Sequence, residues 1–208
     1  MATKVRGGRP FACRPGGGGP AGNEQLTAIT GVVLIVMLAA LGVTILRIGA
    51  LLDAHMFIGM LLIGPVALKM ASTGYRFVRY YTANADYRAK GPPPDIMRAI
   101  APLVVISTVV VFASGVALLL VAPDHTGFLR TLHKLSFIVW IAVTALHVLG
   151  HLVDLPAALA ADRRIAYDDH GAGRGARALA VAGALAIGLV LALLVEGRFA
   201  AWASFHHH

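Results

Sequence analysis

The sequence predicts an all-α integral membrane protein, a bundle of five transmembrane helices with its N-terminus in the cytoplasm and its C-terminus outside. Three observations carry that prediction. The 208 residues are 58% hydrophobic and 13% charged, with a mean hydropathy of +0.75, far too apolar for a soluble domain of this length. Apolar runs of the ~20 residues needed to cross a ~30 Å hydrocarbon core recur at about 27–51, 55–75, 99–122, 132–153 and 178–196. Once these five spans are drawn, the basic residues divide by side. One side takes the N-terminal tail (Lys4, Arg6, Arg9, Arg14), the segment after the second span (Arg76, Arg79, Arg88, Lys90, Arg98) and that after the fourth (Arg163, Arg164, Arg174, Arg177). The other takes only Arg47, Arg130, Lys134 and Arg198. Cytoplasmic segments retain Lys and Arg, so the richer side is cytoplasmic. Topology thus explains the net charge of +8, and no nucleic-acid partner is needed.

Residues 1–26 are Gly/Pro-rich and basic and read as a disordered tail. They lack the apolar middle and small-residue cleavage site of a signal peptide. The single cysteine, Cys13, lies there. One cysteine excludes an intrachain disulfide, a four-thiolate iron–sulfur cluster and the CxxCH attachment of a c-type haem.

The first span carries no His, Asp, Glu or Lys, and its Gly31, Gly42 and Gly49 suit close packing. The second opens with His55, contains Lys69, and runs into the aromatic and basic "YRFVRYY" of a membrane interface. Pro65 is expected to kink it. Pro92 to Pro94 hold back the third span until near Met97. That span is apolar apart from Ser107, Thr108 and Ser114. The fifth is rich in Ala, Leu and Gly and is expected at the periphery of a four-helix core. His125 and His170 read as solvated loop residues, and the terminal His206–His208 carries no argument.

The fourth span raises the chemical question. "HKLSFIVWIAVTALHVLGH" is membrane-like in every respect except His133, His147 and His151, and ionisable groups inside a bilayer are costly and mark function by default. His133 and His147 are fourteen residues apart, a rise of roughly 21 Å and about 40° around the helix. Between them a stripe reads His133, Phe137, Trp140, Thr144, His147, His151, one face aimed into the bundle. The second span repeats the spacing with His55, Gly59, Leu62, Val66 and Lys69. Two spans apart, these helices cross in the same direction, so His55 and His133 share one depth near the outer face. Gly59, one turn below His55, leaves room for a flat group. Imidazoles from two helices at one depth, with a gap beside them, suit a haem: each face of the iron takes one neutral imidazole. Arg130 and Lys134 at the outer end, with Arg76, Arg79 and Arg98 at the inner end, could meet propionates.

On these residues the chain resembles the membrane-bound b-type cytochromes, in particular the small di-haem subunits of formate dehydrogenases and nickel–iron hydrogenases. The resemblance covers roughly residues 27–155, leaving a cytoplasmic loop at 156–177 and a fifth helix with a short outer tail at 178–208. It implies an outer haem b held by His55 and His133, and an inner one held by His147 and a histidine of the first helix. The first span has no such histidine. Lys69 stands at the depth of His147 and is a candidate ligand, or a partner for a propionate or a quinone oxygen. His151 is a further candidate for the same duties.

The expected function is electron transfer in the plasma membrane through one or two haems, between the quinone pool near Lys69, His147 and His151 and a redox partner at the outer face. The chain would then be an electron-transfer component of an oxidoreductase, in the lipid bilayer, with a homo-oligomer open. Two rivals use the same residues: a haem-free transporter or proton relay, and a structural anchor in which the histidines join helices by hydrogen bonds. Zinc at His147 and His151 fits less well, because a third ligand and the HExxH glutamate are lacking.

Overall fold

The computed structural model describes residues 19–82, 84–89, 95–121, 126–152 and 173–206. Its elements are α1 (Gly19–Leu46), α2 (Ile48–Tyr81), the short α3 (Ala85–Ala89), α4 (Asp95–Leu120), α5 (Gly127–Leu152), α6 (Arg174–Val195), a 3₁₀ turn (Glu196–Arg198) and α7 (Phe199–His206). The described residues form an all-α bundle in which five helices, α1, α2, α4, α5 and α6, are long and apolar enough to cross a membrane. The apolar side chains that would be buried in a soluble protein are outside here: Val36, Leu46, Ile106, Ile138, Leu146 and Leu194 are all exposed. That is the arrangement expected where the solvent is hydrocarbon and interfaces are made by small and polar residues.

α1 begins at Gly19, before the expected end of the tail. Residues 19–26 are therefore helix and not part of a disordered segment. They are held by contacts the composition conceals: Gly22 and Gln25 are buried, and Asn23 donates from Nδ2 to the Ser72 carbonyl at 3.0 Å. α1 and α2 form a hairpin closed at Arg47, whose carbonyl accepts from the amides of Ala50 and Leu51 at 3.0 and 2.9 Å. The residue that leaves helical angles within α2 is Leu51 (φ −122°, ψ 26°), and Pro65 does not. Pro65 is fully buried where the helix runs on through it.

α6 packs closely on one long helix, α2. It is packed on α2 through glycine on both sides: a Cβ on Gly64 would collide with the Ala184 carbonyl, and one on Gly188 with the Leu61 carbonyl. The Ala/Gly composition that reads as featureless is what permits this contact, since close approach of backbones drives helix association in lipid. α4 and α5 form a second antiparallel hairpin. It is joined at three levels: Ser114 with His133, Thr108 with Trp140, and Met97 against Gly150.

The two groups, α1–α2–α6 and α4–α5, meet most firmly at the end that holds the α1–α2 turn. There Met56, Met60, Leu119, Ala192, Phe199 and Trp202 make a buried apolar cluster, and Arg198 donates to the Leu120 carbonyl at 3.3 Å. Away from that cluster α2 and α4 stand apart. A cavity of about 510 Å³ opens between them, lined by Ile63, Val66, Met70, Phe112 and Val116 among others.

Candidate functional site

His55 and His133 are brought together, one from each group, within electrostatic reach of one another. Each is half-buried, and each is held from behind through Nδ1. His55 Nδ1 lies 3.0 Å from Thr44 Oγ1. His133 Nδ1 lies 3.0 Å from Ser114 Oγ and 3.1 Å from the Val111 carbonyl. Counting protons assigns the tautomer. A carbonyl can only accept, so His133 Nδ1 carries the hydrogen. Thr44 spends its one hydroxyl proton on the Leu41 carbonyl at 2.6 Å, so it can only accept from His55, and His55 Nδ1 carries a hydrogen too. Ser114 likewise spends its proton on Val111. Both rings therefore present Nε2 as the bare nitrogen, the form a metal takes, with the Nδ1 partner that metal-binding histidines have.

Small residues make the room. Gly115 lies under the His133 ring, where a Cβ would stand 3.1 Å from Cε1. Beside His55, the position a Cβ of Gly59 would take faces open space. Neither Thr44 nor Ser114 figures among the residues that the sequence singles out for chemistry. Both are buried hydroxyls, and their importance follows from which helix each histidine turns to, which periodicity does not specify.

The stripe on α5 faces α4. Trp140 Nε1 donates to Thr108 Oγ1 at 3.0 Å, and Phe137 stacks beside Trp140 with centroids 6.1 Å apart. His147 lies on the same stripe, with its Nδ1 buried. One turn before it, Thr144 Oγ1 is buried with no hydrogen-bond partner among the described residues. His151 falls in the last turn of α5, but its side chain, like His125 and His170, lies outside the described residues.

Lys69 reaches α1. Its ammonium donates to the Thr27 carbonyl at 2.6 Å and fills the notch left by Gly31, 3.1 Å from where a Cβ there would stand. Around it Thr27 Oγ1 lies 3.0 Å from Ser72 Oγ, and Ser72 donates to the Lys69 carbonyl at 3.0 Å. The amine is thus engaged with α1 at the depth where α5 carries His147, and it is a helix tether in this arrangement.

At the end that holds the α1–α2 turn Arg130 is also engaged: Nε donates to Thr126 Oγ1 at 2.8 Å and the guanidinium lies 5.3 Å from the centre of the Trp202 ring. Lys134 is exposed. At the opposite end Arg98 donates to the Tyr81 hydroxyl at 2.6 Å. Comparison with protein-family models, with curated proteins and with solved structures finds no match to the chain.

Proposed function

We propose that the protein is a membrane-bound b-type cytochrome that passes electrons between a quinone and a redox partner, with His55 and His133 as the axial ligands of its haem. The observation that carries this reading is the matched pair of imidazoles: two helices from separate groups, each ring tied back through Nδ1–H, which leaves Nε2 as the bare nitrogen. A haem would supply reversible one-electron exchange there. The chain's own residues fix ring orientation through Thr44, Ser114 and Val111. Two histidine ligands would favour electron transfer over oxygen chemistry at such a group.

A second site would centre on His147, beside the buried hydroxyl of Thr144. Because Lys69 is turned to α1, His147 would serve there with another ligand, or would meet a quinone oxygen. By the distribution of Lys and Arg, the plasma membrane with the Arg-rich end inside is the setting, and electrons would be exchanged with a partner at the opposite face.

One observation favours a second reading, the haem-free anchor. His55, His133 and Lys69 each already bond a neighbouring helix, which is what polar helix glue does. A dithionite-reduced minus oxidised spectrum of the purified protein, with haem counted per chain, separates the two. A sharp low-spin b-type signal at one haem or two supports the cytochrome. Colourless protein after expression with haem supplied leaves the anchor.

A further inference from the structure

Val111 is followed three and four residues later by Ser114 and Gly115, so the three lie on one face of α4. All three meet the same ring. The Val111 carbonyl and the Ser114 hydroxyl stand 3.1 and 3.0 Å from His133 Nδ1. Both residues are buried, and the Ser114 hydroxyl donates to the Val111 carbonyl at 3.0 Å, so the two anchors are themselves fixed. Gly115 contributes an absence. A Cβ there would stand 3.1 Å from His133 Cε1, 3.5 Å from Nδ1 and 3.9 Å from Nε2. With Nδ1 held, the ring could yield to that atom only by turning about Nδ1. Cε1 is bonded to Nε2, so the turn would carry Nε2 with it. His55 is held differently: it has one anchor, Thr44 Oγ1, and the Cβ that Gly59 lacks would meet nothing within 4 Å. Close control of a ring plane therefore lies with α4.

We propose that Gly115 is a positioning residue, which fixes the plane of the His133 ring and with it the direction in which Nε2 meets a metal. The inference rests on the cytochrome reading, in which His133 Nε2 is a ligand of haem iron. Groups behind a ligating histidine orient it and tune the metal, and hydrogen bonding and ligand geometry are levers on haem potential. Residue 115 would thus adjust the reduction potential through His133. Glycine weakens a helix interior relative to alanine, and at this position the ring occupies the room that the missing methyl leaves.

The test is Gly115→Ala in the full-length chain, expressed with haem supplied and followed by electron paramagnetic resonance of the ferric state and by redox titration. The variant is expected to hold haem about tenfold less tightly, the lower end of what supporting contacts contribute. Its low-spin g-values and midpoint potential should both be displaced. Gly183→Ala makes the same change in α6 where a Cβ would meet nothing within 4 Å, and should move neither. Helix propensity would favour both variants alike, so a displacement confined to Gly115→Ala belongs to the ring. Haem-loaded Gly115→Ala with wild-type g-values and potential overturns the proposal and leaves the cytochrome reading standing. A wild-type chain that takes up no haem overturns that reading, and this one with it. Should Gly115→Ala fail to fold or lose its haem, nitrogen NMR of the haem-free wild-type chain decides. The His133 ring, identified by its absence from the spectrum of His133→Gln, should be a single Nδ1–H tautomer. A mixture of tautomers, or Nε2–H, would show that α4 does not hold the ring and overturns the assignment.

Discussion

Lys69 fills the space that Gly31 leaves empty, its ammonium 3.1 Å from where a Cβ on residue 31 would stand and 2.6 Å from the Thr27 carbonyl. An intramembrane cation is thus used to fasten α1 to α2. Lys69→Met should loosen that pair by about 0.5–2 kcal/mol, the range for polar contacts between helices in lipid, and lower the midpoint of thermal unfolding. Haem content should not change. A loss of haem in Lys69→Met would return the lysine to the cofactor site.

On the proposed cytochrome reading, His55→Ala and His133→Ala should each abolish the same haem, counted per chain after extraction. Full haem content in either variant would remove that residue from the ligand set.

Thr44→Val and Ser114→Ala test the tautomer without touching the ligands. Each removes a group that holds Nδ1, and partners of this kind contribute about 10–100-fold to metal affinity. Haem retention on dilution should fall more for Thr44→Val, because His133 keeps the Val111 carbonyl. Equal loss in the two variants would mean that the carbonyl does not hold the ring.

At the seam between α2 and α6, Gly64→Leu or Gly188→Leu drives a side chain into the facing backbone. Overpacking costs about 1–3 kcal/mol even in forgiving cores, and a backbone facing the new atom cannot give way as a flexible side chain can. Size-exclusion profiles in detergent should show loss of the monodisperse species. A normal profile and unfolding midpoint would show that α6 can move off α2.

Strongly alkaline pH should loosen α3 through Tyr87. Burial, then Tyr75, push its phenol above the ordinary tyrosine value against the smaller opposing pull of Arg79 and Arg76. A group that holds its proton more tightly when folded stabilises the fold below its unfolded pKa, and that contribution fades as pH climbs through the folded one. In an ultraviolet titration Tyr87→Phe should delete the component that ionises above the ordinary range. If the late component persists, it belongs to another tyrosine.

Much of this was legible in the sequence. Composition and run length give five spans because the bilayer sets both. The fourteen-residue spacing of His133 and His147, matched by His55 and Lys69, gives depth because helical rise is fixed. What periodicity omits is the neighbour. The α5 stripe defines one face, yet only packing shows that it meets Thr108 and Ser114 of α4. Lys69 shares a depth with His147 and turns to α1 instead, for a reason located in Gly31, an absence of side chain in another helix. The α6 sequence understates its contact with α2 for a related cause. In water an Ala/Gly helix has little to bury, whereas in lipid small residues make the closest contacts.

The contact of Gly64 with α6 also bears on how the protein is made. α2 meets α1 at once, across the turn at Arg47, but its glycine seam faces a span made after α4 and α5. Until α6 arrives, Gly64 and the Leu61 carbonyl have only lipid, or a chaperone of the insertion machinery, against them. The α4–α5 hairpin is synthesised in that interval and closes on itself. Packing of α2 therefore waits for a later helix to return to an early one, and a chain truncated before residue 174 would carry every histidine of the candidate site and still lack the partner of Gly64.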